Sequence, residues 1–141
     1  MGIAEHPPQG SIVTVDYTKG FREPEMVKVR LAVVLSPKIT NRPFLCTVVP
    51  LSASEPEPKM PYNRLIDIPF LLPKSWGNIP RWICGDMVNA VAFHRIDLLR
   101  MGKDYSGKRI YQTQQLPPDL FRHVRACALH GMGLSTLTKH L

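Results

Sequence analysis

A chain of 141 residues with 44% hydrophobic and 21% charged residues has the size and balance of one folded domain, which excludes a wholly disordered chain. Its apolar runs, such as residues 31–35, fall far short of the roughly 20 residues that span a bilayer. Eighteen Lys and Arg against eleven Asp and Glu give a net charge of +7, and residues 87–141 supply eight of those cations but only three of the anions. A basic surface favours polyanionic partners, because neutralised phosphates release their condensed counterions, yet it serves solubility equally well.

Residues 1–9 read as an N-terminal tail and 10–141 as one domain. The opening MGIAEHPPQG lacks a basic-then-apolar signal pattern. Three scattered cysteines (Cys46, Cys84, Cys127) suit reduced thiols, so a cytoplasmic protein is expected. Residues 10–17 (GSIVTVDY), β-branched and bounded by turn formers, predict a first strand. Residues 27–36 (VKVRLAVVLS) predict the strongest one, with Val29, Leu31, Val33 and Leu35 on one face and Pro37 closing it. Residues 45–52 (LCTVVPLS) follow, then shorter strands at 64–68 and 82–91.

Seven of the 14 prolines fall between residues 50 and 80. Proline fixes φ and lacks an N–H, so that stretch predicts loops broken by short strands. The period then changes. Leu120, Val124, Cys127 and Ala128 lie on one helical face, predicting a helix over about 119–130. Pro117-Pro118-Asp119 punctuates its start and Gly131 its stop, and the tail 133–141 offers Ser135 as a cap. Short strands at this spacing suit a compact barrel or sandwich, and the fold class expected is mainly β, a small antiparallel barrel with a C-terminal α-helix.

No P-loop, Rossmann glycine pattern, H-E-x-x-H or G-x-S-x-G is present. The five histidines do not pair with cysteines at finger-like spacing, so neither metal nor cofactor is expected; His123 and His130, seven apart, could share a helix face. Arg30 stands out because it interrupts an apolar run, on the face opposite Val29 and Leu31, beside Lys28 and Ala32. Such a cation is either an edge-strand charge facing water or a group held for an anion. Ser52, ending the third strand, either starts a turn or presents a hydroxyl.

Gly10–Asp16 (GSIVTVD), Thr18-Lys19-Gly20, Val29–Pro37 (VRLAVVLSP), Asn41-Arg42, Val48–Ser52 (VVPLS) and Cys84–Val91 (CGDMVNAV) with Arg95-Ile96 form an ordered set. Followed by residues 120–134, it resembles the MazF/PemK family of toxin endoribonucleases. The resemblance implies an SH3-like barrel with a C-terminal helix, working as a homodimer. It implies cleavage of single-stranded RNA, frequently mRNA, without a metal ion: the 2′-hydroxyl attacks the neighbouring phosphorus and a 2′,3′-cyclic phosphate forms. A cognate acidic antitoxin would occupy the RNA groove. The family's catalytic arginine falls on Arg30 and its strand-ending threonine on Ser52. Lys19, Arg22 and Lys28, on the loop bordering that groove, would contact phosphate, and Trp76 would offer a stacking face, with Trp82 read as core.

Three departures accompany the likeness. Leu31 follows the arginine where the family commonly has proline, Ser52 replaces threonine, and the chain is longer, over 54–81 and 102–115. The alternative is a non-catalytic binding module of the same fold, either a gyrase-poisoning relative or a nucleic-acid-binding regulator.

Overall fold

A computed structural model describes residues 2–141. The strands are β1 (Ile12–Asp16), β2 (Val29–Val34), β3 (Leu45–Ser52), β4 (Asn63–Ile66), β5 (Arg81–Cys84), β6 (Asn89–Ala92), β7 (Ile96–Leu98), β8 (Arg100–Lys103) and β9 (Arg109–Tyr111). One α-helix, α1 (Pro118–Gly131), follows them, and a 3-10 segment, Ser135–His140, ends the chain. Seven strands form one antiparallel sheet along the path β4-β5-β3-β2-β1-β7, with β6 added on β3, while β8 and β9 make a separate hairpin.

β3 coincides with its expected strand, and β1 and β2 lie inside theirs. The strand expected at 82–91 is instead two, β5 and β6, broken by the 3-10 turn Gly85–Met87. The break lets one edge of β3 take two partners: β6 pairs with Leu45–Val48, and β5 with Leu51 and Ser52. Gly85 makes the turn possible by close approach. A Cβ there would lie 2.2 Å from the Cys127 carbonyl oxygen of α1, and one on Gly131 only 2.0 Å from the carbonyl oxygen of Gly85.

Both faces of the central strands are buried. One cluster joins Ile12, Leu31, Val33, Val49, Leu51 and Ile83 to Val124, Cys127 and Ala128 of α1. The other gathers Val13, Val15, Tyr17, Ala32, Val34, Val48 and Ile96. Each fully buried Val, Leu or Ile contributes about 1.5–3 kcal/mol relative to exposure. β2 accordingly carries a nearly unbroken apolar run, VRLAVV, as a strand buried on both faces does.

The second cluster fills the curl formed by β6, β3, β2, β1 and β7. β6 and β7 are consecutive, joined by the short turn Phe93–Arg95, but β6 pairs with β3 and β7 with β1. No hydrogen-bonded ladder joins the two ends of the sheet path among the described residues, so the expected closed barrel becomes an open, curled sheet. Residues 2–9, expected as a tail, lie against this curl: the Ile3 N–H donates to the Phe93 carbonyl at 3.2 Å.

The helix begins one residue earlier and ends one later than expected. Its stop is Gly133 and not Gly131. Gly133 takes φ 74°, its N–H donates to the His130 carbonyl at 3.1 Å, and the Leu134 N–H donates to that of Leu129 at 2.8 Å. These are the paired bonds of a Schellman ending. Gly131 is needed inside the helix, where it permits the approach to Gly85. Ser135 is not a cap; it opens the terminal 3-10 segment, and its hydroxyl lies 2.8 Å from His130 Nδ1.

Candidate active site around Arg30

β2 lies between β1 and β3, so Arg30 is not the edge-strand charge that one reading of the sequence allowed. It is opposite Val15 on β1. On the other side, the β2–β3 ladder ends at Ala32–Pro50, and the same register carried two residues further sets Arg30 opposite Ser52. Residues opposed across an antiparallel pair share a face, so guanidinium and hydroxyl lie on the face of the second cluster. The register thus sets the two residues singled out as catalytic level with each other on one face.

Arg30 is half-buried, and its Nε is buried without a hydrogen-bond partner. Among the described residues no carboxylate forms an ion pair with it; Lys59 with Glu55, at 3.2 Å, is the ion pair present. Arg81, itself buried, carries a second unpartnered Nε. Burial and then the nearby charge of Arg30 push the Arg81 pKa down from the ordinary guanidinium value. Arg81 alternates with Trp82 and so lies on the face of the first cluster. Arg30 is the half-buried cation left without a counterion on the Ser52 face, and it gains from an anion there.

Ser52 is half-buried and does begin a turn. Its Oγ accepts the Ser54 N–H at 3.2 Å and donates to the Ser54 carbonyl at a long 3.4 Å. That donor bond is readily exchanged for a closer oxygen. Ser52 is paired with Trp82 of β5, above whose ring Lys59 Nζ sits 5.9 Å from the centroid. Trp82, read as core, is therefore a half-buried residue at the site, with a cation on its ring.

Cys84 and Tyr17 complete the surroundings. Burial, followed by the charge of Asp86, pushes the Cys84 thiol up to about 11, against a smaller opposing effect of Arg30. Burial raises the Tyr17 phenol too, and its hydroxyl finds no partner. Beside them a cleft of about 280 Å³ opens between Tyr17, Phe21 and Met26 on one side and Asp86, Met87 and Asn89 on the other. Arg30 does not line this cleft.

The remaining expected contacts divide. Lys19, Arg22 and Lys28 are exposed on the segment joining β1 to β2, and Lys28 lies two residues before Arg30 on its face. Trp76 is not the free surface ring expected: it packs against the first cluster, and the Arg81 guanidinium covers its ring at 5.7 Å while donating to its carbonyl. Sequence reasoning missed Arg95. Its Nη1 donates to the Asp16 carbonyl at 3.1 Å and the Lys19 carbonyl at 2.7 Å, and its guanidinium stacks 4.7 Å from the Phe21 ring. It pins the β1–β2 segment that carries the exposed cations. His123 and His130 do share a cleft, with Arg64, and burial and then Arg64 depress the His123 pKa.

A curled antiparallel sheet with one C-terminal helix packed across its other face defines a class of small, mainly β proteins. The family model for the PemK-like, MazF-like toxins of type II toxin–antitoxin systems matches residues 8–128, and the chain belongs to that family. An uncharacterized protein of Haemophilus influenzae is 31% identical over a 150-position alignment covering 97% of this chain and 98% of that protein. The crystal structure of MazF from Deinococcus radiodurans has the same fold, with a TM-score of 0.61 at 19% identity, over 92% of this chain and 99% of that one. A mycobacterial endoribonuclease in complex with its cognate antitoxin superposes with a TM-score of 0.55 at 12% identity, over 91% of this chain and 96% of that one.

Proposed function

We propose that this toxin-family chain is an endoribonuclease that cuts single-stranded RNA, including mRNA, by attack of the 2′-hydroxyl on the adjacent phosphorus. The O2′–P bond forms as the P–O5′ bond breaks; the proton lost from O2′ passes to solvent and O5′ takes one from solvent, leaving a 2′,3′-cyclic phosphate and a 5′-hydroxyl. Negative charge builds on the non-bridging oxygens, and Arg30 supplies forked donors for them. Ser52 donates its hydroxyl to the same oxygens or orients the 2′-hydroxyl. Removing a charged, preorganised donor such as Arg30 typically costs about 10²–10³ in rate. The guanidinium acts as an electrostatic stabiliser, not as a base.

The observation that carries this reading is the placement of an unpaired, half-buried Arg30 level with Ser52. Membership of the toxin family supports it, as does the shared fold of an endoribonuclease solved with its antitoxin. Lys19, Arg22 and Lys28 hold the RNA backbone along the β1–β2 segment. The chain acts in the cytoplasm as a homodimer, needs no metal or cofactor, and is neutralised by an acidic antitoxin lying over the same basic groove.

The test is incubation of the purified protein with a long single-stranded RNA in EDTA beside an Arg30→Ala control. Discrete cuts, lost in the control, support the reading. Intact RNA from a folded, antitoxin-free sample transfers the chain to the non-catalytic binding modules of this fold.

A further inference from the structure

The hairpin β8–β9 stands apart from the sheet and from the Arg30 site. β7 runs antiparallel to β1, with Ile96 opposite Val15 and Leu98 opposite Val13, so the chain enters β8 at the end of β1 remote from Arg30. The hairpin is anchored at its base, where the Gln112 N–H donates to the Leu99 carbonyl at 2.9 Å and the Gln112 side chain to that of Leu71 at 2.6 Å. Beyond the base its charged and aromatic side chains are exposed, Tyr105 at the tip fully so.

Its register puts the charge on one side. Arg100 is opposite Tyr111 and Lys103 opposite Arg109, with a shift between Arg100 and Gly102. In a regular strand, residues three apart face opposite ways. Here the extra residue brings Arg100 and Lys103 onto the face that Arg109 and Tyr111 share. Three cations therefore surround one tyrosine, and two of them, Lys103 and Arg109, are directly opposed. Like charges so placed destabilise a hairpin unless an anion lies across them. Among the described residues none of these cations forms an ion pair, and the one carboxylate of the hairpin, Asp104, is committed to the turn through Ser106 and Lys108 N–H groups at 2.9 Å.

We propose that this face is a second contact for single-stranded RNA, in which Arg100, Lys103 and Arg109 hold phosphates and Tyr111 stacks on a base. Cations interleaved with an aromatic ring suit a strand that alternates phosphate and base. An acidic polypeptide would satisfy the charge but leave the tyrosine face unused. The contact extends the nuclease reading and rests on it for the identity of the RNA, while its binding behaviour is measured separately.

The experiment measures anisotropy of a fluorescent 20-nucleotide RNA at several salt concentrations, in an Arg30→Ala background so that strands stay intact. Two hairpin variants are compared: Arg100→Gln with Lys103→Gln and Arg109→Gln, and Tyr111→Ala alone. The triple variant should weaken binding at least tenfold near 0.1 M salt and flatten the slope of log affinity against log salt by about 2, the share of three phosphates on a single strand. Tyr111→Ala should weaken binding with the slope unchanged. Circular dichroism matching the parent is the condition for reading either variant. An unchanged slope in the triple variant overturns the proposal, and so does loss of poly-glutamate binding with RNA binding intact, which would assign the face to an acidic protein. Hairpin-dependent RNA binding by a wild-type chain that cuts nothing would retain this contact and remove the nuclease reading.

Discussion

Arg30 and Ser52 stand level with each other on β2 and β3, two residues beyond the last pair of that ladder. A guanidinium without a counterion and a hydroxyl whose donated bond is a long one thus share a face, which lets both be directed at one phosphate. The two should fail unequally when changed. Arg30→Ala is expected to lower kcat for RNA cleavage by about 10²–10³, and Arg30→Lys to recover little of it, because an ammonium lacks the fork. Ser52→Ala should cost about tenfold, the value of a hydrogen bond of about 1.4 kcal/mol, while Ser52→Thr stays near wild type. Single-turnover rates at saturating RNA would check all four.

Arg95 predicts a link between a loop and the site. Two carbonyls and the Phe21 ring hold its guanidinium against the β1–β2 segment. Arg95→Ala should cost about 1 kcal/mol of stability and release that segment. Limited trypsin digestion, which cuts after Lys19 and Arg22, should accelerate severalfold in the variant, with KM for RNA rising more than kcat falls.

The buried thiols predict how stability changes with pH. Burial raises Cys46, Cys84 and Cys127 each to about 11. A raised thiol pKa means that the folded chain holds its proton more tightly than the unfolded chain, whose cysteines titrate near 8.5. The contribution is therefore full below about pH 8.5 and is lost as the pH climbs toward 11, by about 1.4 kcal/mol per thiol per pH unit. Urea unfolding should show a steep decline across that window, shallower in Cys127→Ala.

Gly131 and Gly85 predict a steric effect. Gly131→Ala would place a methyl 2.0 Å from the Gly85 carbonyl oxygen, backbone against backbone. The helix must shift away from the turn Gly85–Met87, so a loss at the upper end of overpacking costs, about 3 kcal/mol, is expected. A melting temperature within 2 °C of wild type, a small shift for a domain of this size, would rule out that contact.

The central strands were legible because β-branched runs such as Thr47-Val48-Val49 between turn formers leave little alternative. The split of β5 from β6 was not, since WICGDMVNAV looks continuous until α1 is packed on Gly85. The hairpin β8–β9 was hidden for a similar reason: its side chains form no core, so no apolar period marks it. At the site, Arg30 was conspicuous as a cation in an apolar run, but its level with Ser52 was not legible, because it depends on how β2 and β3 are registered. Arg95 and Trp82 carried no local signal, because their partners lie 79 residues away in Asp16 and 30 in Ser52. The stacking face assigned to Trp76 fails because Arg81, five residues on, covers it.

The most direct measurement uses a short RNA containing one mapped cleavage site and a copy with a single 2′-deoxy nucleotide just before the scissile bond, both in EDTA. The RNA should be cut to a 2′,3′-cyclic phosphate and a 5′-hydroxyl, and the deoxy copy should remain intact at that bond. Cleavage of the deoxy copy, or a 5′-phosphate on the product, would contradict attack by the 2′-hydroxyl and with it the role given to Arg30.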